Sequence, residues 1–298
     1  MTVSQRFTSS RAVSIVTVLA LLCSIFGFAL PAPLRLLPLL VSAVFLLLHA
    51  ARRYGWRAVG VYVVVVLVVS NIMENLSIAT GFPFGHYHYT GGGKIFEVPW
   101  FIGIAYMSTG YLAWIVGTVL VCEVQRGANW LSTIGTPVVA SFAMVAWDLS
   151  LDPAASTINH GWIWENGGGF FGVPLVNFLG WSLTVYLFFQ IFALYLRARG
   201  PKVADRSSSG DVQAVLLYAA IAVGFFVTYA TGKRTVVTDA LGHVWHTGDI
   251  YETSVLTTIY GLVFVSALAF LRIAQRHNTS PEPVESAMRP GRASVSAH

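Results

Sequence analysis

The sequence predicts an all-α fold, a polytopic membrane bundle of about eight transmembrane helices, with seven as the alternative. Three observations carry that reading. Hydrophobic residues fill 55% of the 298 positions and charged residues only 10%, where an ordinary soluble domain has roughly a quarter charged. Apolar runs long enough for a hydrocarbon layer of ~30 Å recur along nearly the whole chain. Fourteen of the 18 Lys and Arg residues fall on one side of the membrane that those runs imply.

Taken in order, the runs place helices at residues 13–30, 36–50, 58–79, 99–121, 130–148, 173–197, 212–231 and 254–273. The first follows Arg6 and Arg11 as a signal peptide would, but its apolar stretch is longer and another helix follows at once. It reads as an anchor that stays. The second is short and proline-flanked, which suggests tilt or partial re-entry. Cys23 and Cys122 lie at different depths of separate runs, so no disulfide and no thiolate metal site is expected. Residues 1–276 form one membrane-embedded domain in this reading. Residues 277–298, rich in Pro and Ser, form a disordered cytoplasmic tail.

The Lys and Arg distribution puts both termini in the cytoplasm. The net charge of +5 is then an orientation signal and implies no nucleic-acid partner. Eight of the 13 acidic residues lean to the opposite side, in or beside residues 74–99, 148–173 and 233–252. The richest stretch, residues 144–181, leaves an apolar helix, crosses a polar loop and re-enters the membrane with Asn177 one turn inside.

Glu74 lies 17 residues beyond Arg57, about 25 Å along a helix, and Asp148 lies 18 beyond Trp130 at similar depth. The two carboxyls can therefore face each other from neighbouring helices. Each also has a plainer reading as a hydrated helix end, which is weaker for Glu74 because a carboxyl at that depth is costly. Asp152 precedes Pro153, which biases it out of the helix, either as a turn-former or as part of the site. Asn177 serves either helix packing or a ligand. His86 and His88 alternate in an aromatic loop, where hydrogen bonding at an interface is favoured over a metal shared with His243, His246 and Asp249.

Trp100, Trp147, Trp162, Trp164, Trp181 and Trp245 suit an interfacial belt. Trp162 and Trp164, alternating in a polar loop, can instead wall an apolar pocket. The glycine runs 91–93 and 167–169 read as flexible or tight loops, since nothing around them makes a phosphate cradle. There is no nucleophile elbow, Walker motif, dinucleotide fingerprint or HExxH. Asp148-Leu-Ser-Leu-Asp152 matches one half of a prenyltransferase magnesium–diphosphate site, but Asp239, Asp249 and Glu252 are too dispersed to supply the other half.

Several segments resemble the integral-membrane carotenoid biosynthesis proteins, which include the hydratases of γ-carotene and of the bisanhydrobacterioruberin pathway. They are Glu74-Asn-Leu-Ser-Ile-Ala-Thr-Gly81, Phe84-Gly-His-Tyr-His-Tyr-Thr90, Val98-Pro-Trp100, Trp147-Asp-Leu-Ser-Leu-Asp-Pro153 and Trp162-Ile-Trp164. Gly168-Gly-Phe-Phe-Gly-Val-Pro174 and Asn177-Phe-Leu-Gly-Trp181 complete the likeness, which covers residues 70–185. The resemblance implies water addition to the terminal 1,2 double bond of an acyclic carotenoid, giving a tertiary alcohol. It implies a substrate dissolved in the bilayer, with other carotenoid enzymes as candidate partners, and a multi-pass protein of the cell membrane with its site near the outer leaflet.

The chemistry such a step requires matches the residues. A carboxyl held in low dielectric can stay protonated and donate to the alkene. A second group takes the proton of the incoming water, and aromatic faces stabilise the cation between the two events. Glu74, Asp148 and Asp152 are the expected catalytic residues. Asn75, His86, Tyr87, His88, Trp162, Trp164, Asn177 and Trp181 are the expected substrate contacts, with no cofactor and no metal. Rival readings are a carotenoid- or lipid-binding scaffold or transporter, and a magnesium-dependent carotenoid prenyltransferase.

Overall fold

A computed structural model of the chain describes residues 3–27, 30, 34, 36–201 and 208–278. Its helices are α1 (Val3–Phe26), α2 (Leu37–Tyr54), α3 (Trp56–Thr80), α4 (Trp100–Leu120), α5 (Trp130–Pro153), α6 (Leu175–Arg199), α7 (Ser208–Thr231), α8 (Thr247–Thr258) and α9 (Phe264–Asn278). Alpha-helical rods prevail because lipid offers no partner for a free backbone N–H or C=O. A π turn, Ile259–Val263, joins α8 and α9 into one rod. Among the described residues, seven rods are long and apolar enough to cross a membrane, and residues 10–26 of α1 form a shorter apolar stretch. The fold is the all-α polytopic bundle expected, and the chain is a multi-pass membrane protein.

The central rod is α4, which packs against α2, α3, α5, α7 and α9. Its closeness to α5 depends on Gly117, where a Cβ would lie 2.9 Å from the Thr136 carbonyl and from Ala140 Cβ. Tyr62, Tyr111, Trp114, Phe188, Phe189 and Phe192 fill the core between these rods. Phe142, Leu179 and Tyr260 face outward, as lipid-facing positions do. Cys23 and Cys122 are free thiols.

Three two-stranded sheets, two of them hairpins, close the end of the bundle where α3, α5 and α7 finish. Strand β1 (Tyr87–Tyr89) pairs antiparallel with β4 (Trp162–Trp164), β2 (Lys94–Ile95) with β3 (Val98–Pro99), and β5 (Val236–Thr238) with β6 (Val244–His246). At the other end, Arg53 binds Glu123 and, at 2.6 Å, Asp211, while Arg276 lies 3.6 Å from Asp211. Tyr54 donates to Glu123 at 2.7 Å. This ionic knot ties α2, α7 and α9 to the loop after α4.

The structure corrects the expected elements in three places. The fifth helix does not end at Asp148: α5 runs to Pro153 and continues in a π turn, Ala154–Ile158, so Asp148 and Asp152 are both helical. Pro153 does bias its predecessor against the helix, but Ser156 Oγ donates to the Asp152 carbonyl at 2.8 Å and Asn177 grips the Asp152 side chain. The Asn177 contact from α6, added to the Ser156 bond within the turn, overrides the local preference. Next, the loops at 81–99, 148–173 and 233–252 contain strands, which helix-length apolar runs do not reveal. Finally, the last rod begins at Thr247, well before residue 254, and carries Asp249 and Glu252 exposed. The expected disordered tail falls largely outside the described residues, with α9 reaching Asn278.

Candidate active site

Glu74 and Ser77 lie three residues apart on the buried face of α3. Gly81 ends the helix in a left-handed conformation, φ 81°, with its N–H on the Ser77 carbonyl at 2.7 Å, the usual glycine cap. Ser77 Oγ then accepts from Phe84 N–H at 2.9 Å and donates to the Gly85 carbonyl at 2.8 Å. These bonds fold the chain back over the helix end and aim β1 at Glu74. The turn is clamped from the other side by Gly180 on α6, where a Cβ would lie 2.6 Å from the Pro83 carbonyl.

Strand alternation sorts the next residues by face. Tyr87 and Tyr89 point inward and His88 outward. Across the ladder Tyr87 faces Trp164, and Tyr89 faces Trp162, so four aromatic rings line one side of the hairpin. The Tyr87 and Tyr89 hydroxyls both donate to Glu74 Oε2, the latter at 3.0 Å. Tyr106, from α4, donates to Oε1 at 2.7 Å. Burial, and then the charge Glu74 carries when ionised, push the Tyr87 and Tyr89 hydroxyls well above the usual phenolic range, so they remain donors.

Asp148 and Asp152 lie one turn apart on α5 and are 2% and 1% exposed. Pro174 stands at the N-cap of α6 and puts Asn177 in the first turn, with its N–H on the Pro174 carbonyl at 3.0 Å. Asn177 Nδ2 donates to Asp152 Oδ2 at 2.5 Å and to Asp148 Oδ2 at 3.2 Å. The positive end of the α6 dipole thus meets the two carboxyls. Trp162 Nε1 donates to Asp152 Oδ1 at 2.9 Å. The buried Trp164 indole N–H also faces Asp152 but makes no regular hydrogen bond.

The carboxyls are therefore joined by a short path: Glu74 to the Tyr89 hydroxyl, the Tyr89 ring edge-on to Trp162 at 5.9 Å, and Trp162 to Asp152. Trp181 stacks flat on Tyr106 at 4.5 Å and meets Trp147 edge-on at 6.0 Å. So Glu74, Asp148, Asp152, Tyr87, Trp162, Trp164, Asn177 and Trp181 come together. Tyr89 and Tyr106 join them without having been expected. The alternation Tyr87-His88-Tyr89 does carry the signal for Tyr89, since period two sets both tyrosines on one face. Tyr106 has no such mark inside an apolar helix.

Three expected contacts lie elsewhere. His88 is on the outer face of β1, 3.2 Å from Glu165. His86 packs its ring over Gly81, where a Cβ would be 2.7 Å from Nε2. Asn75 is turned away from Glu74 and accepts from Glu97 N–H at 3.0 Å, holding the β2–β3 turn. His243 binds Asp239 at 3.1 Å and does not join His88. Among the described residues no group of three His, Cys, Asp or Glu side chains is arranged to hold a metal ion. Of the two glycine runs, 167–169 is tight, a Cβ at Gly168 falling 2.2 Å from the Val173 carbonyl, while Gly91 and Gly92 have open space.

Fold and site together define a multi-pass membrane protein with a carboxyl centre enclosed by tyrosine, tryptophan and asparagine where the helix ends meet the hairpins. The family model for carotenoid biosynthesis proteins matches residues 34–246, and the chain belongs to that family. The match takes in every residue of the centre and stops at the end of β6. No curated protein and no solved structure matches the chain significantly.

Proposed function

We propose that the protein hydrates the terminal 1,2 double bond of an acyclic carotenoid. The observation that carries this reading is the enclosure of Glu74, Asp148 and Asp152 by one set of Tyr, Trp and Asn side chains. Three buried carboxyls are expensive unless at least one holds a proton, and a held proton is what the first step requires.

In this mechanism the Glu74 carboxyl gives its proton to the C2 carbon of the alkene, and the π electrons form that C–H bond. The positive charge falls on the tertiary C1 carbon. The faces of Tyr89, Trp162 and Trp181 stabilise it and keep stray water away. Asn177 holds Asp148 and Asp152 so that one carboxylate takes a proton from water as its oxygen bonds to C1. The product is a tertiary alcohol, and the captured proton returns to Glu74 through solvent. The addition is redox-neutral and calls for no electron acceptor.

A site near the outer leaflet of the cell membrane, with both termini inside, follows from the Lys and Arg bias and belongs to this proposal. The test is conversion of an acyclic carotenoid by purified protein in ¹⁸O-labelled water. The reading expects the label in the product alcohol. Binding without incorporation would support a scaffold, and gain of a prenyl group without the label, only with magnesium and a prenyl diphosphate, would support the transferase.

A further inference from the structure

Along the lipid-facing side of Glu74 runs a groove between α3 and α4 with a cavity of about 340 Å³, within the ~300–1,000 Å³ range of ligand pockets. On α3 it is lined at Leu67, Ser70, Asn71 and Glu74, the i, i+3, i+4, i+7 positions of one helical face. That face climbs about 10 Å from Leu67 to the carboxyl. The rim is apolar and open, with Val68 50% and Trp100 42% exposed, whereas Glu74 at the inner end is 4% exposed. A buried carboxyl in the wall of an apolar trough is costly in lipid and marks a place where something is bound.

Gly103 on α4 lines the trough and lets Leu67 of α3 pack close against it. A Cβ there would lie 2.8 Å from Leu67 Cδ2, and a larger group would fill the space beside it. On the floor, Asn71 Oδ1 accepts from Asn75 at 3.2 Å and Ser70 Oγ donates to the Leu67 carbonyl at 3.5 Å. Most of the remaining lining, including Leu67, Val68, Ile72, Val98 and Ile102, is apolar, so the occupant is a hydrocarbon whose tip meets the acid. A saturated acyl chain gains nothing from that meeting, and an alkene end does.

We infer that the α3–α4 groove is the binding channel for an acyclic polyene, with the chain along Leu67 and Gly103 and its end at Glu74. The identity of the occupant rests on the hydratase reading, and the channel itself rests on the groove. Gly103 is then a specificity-determining position.

The test uses full-length protein in phosphatidylcholine nanodiscs, titrated with lycopene and followed by the shift of its visible band. Gly103→Phe, and separately Val68→Trp on the exposed rim, should each weaken binding at least tenfold. Leu194→Phe, on the lipid face of α6, should not change it. Wild-type affinity in both groove variants would overturn the channel. Val68→Trp keeps the test decisive should Gly103→Phe fail to fold. Tight binding by Glu74→Gln with full hydration would overturn the mechanism and leave the channel standing.

Discussion

The Asn177 amide donates to Asp152 Oδ2 at 2.5 Å, and the same nitrogen reaches Asp148 Oδ2 at 3.2 Å. One residue in the first turn of α6 thus positions two carboxyls of α5. Asn177→Leu should lower hydration at least ~100-fold, the usual cost of removing one positioned donor. It should also destabilise the fold by about 1–3 kcal/mol by leaving buried acceptors unmet. Product quantitation and thermal unfolding in detergent check the two effects. Unchanged turnover would make Asn177 a packing residue only.

Much of this centre can be read in the chain before folding, and the reason is physical. Glu74, Asp148, Asp152 and Asn177 stand out because polar groups at membrane depth are expensive. His88 and Asn75 mislead because sequence gives proximity to a motif but not the face. His88 falls on the outer side of a three-residue strand, and Asn75 is about 100° around the helix from Glu74. The extension of α5 past Pro153 is supported by Asn177, a contact from α6 made only in the folded chain.

Tyr106 offers a sharper test of the acid. Its hydroxyl holds Glu74 Oε1 while its ring stacks on Trp181. Tyr106→Phe keeps the stack and removes the bond, so hydration should fall about tenfold or more with little change in substrate affinity. Equal losses in rate and affinity would point to a purely structural ring.

Tyr87 and Tyr89 should not titrate in the working range. Burial and Glu74 raise both hydroxyls well above their ordinary value of ~10. The stability linked to them is therefore full below pH ~10 and is lost only as pH rises through the folded values. Ultraviolet titration of the folded protein should show Tyr87→Phe and Tyr89→Phe removing no phenol that ionises below pH ~10. A phenol lost from that window would contradict the enclosure of β1.

Asp239 should set an acid limit on the β5–β6 hairpin. Partial burial opposes its charge, but N–H donors from Trp245, His243 and Leu241 outweigh that and hold the carboxyl below its ordinary value. A depressed value gives stability present above pH ~4 that is lost as pH falls through the folded value. Amide exchange in the hairpin should rise there, and Asp239→Asn should show the rise already at neutral pH. Acid-insensitive protection would contradict it.

At the far end of the bundle, Arg53 joins Glu123 and Asp211 with its own side chain 8% exposed. Arg53→Met should cost about 3–5 kcal/mol, as breaking a buried pair does, while the folded fraction hydrates substrate at the normal rate. Loss of activity in fully folded protein would tie the two ends together.

The most direct measurement is mass spectrometry of pigments from a lycopene-producing host that expresses the chain, beside its Glu74→Gln and Asp148→Asn variants. The account predicts a gain of one water per modified end with the wild type and unmodified lycopene with either variant. Hydrated pigment formed at the full level by both variants would contradict it.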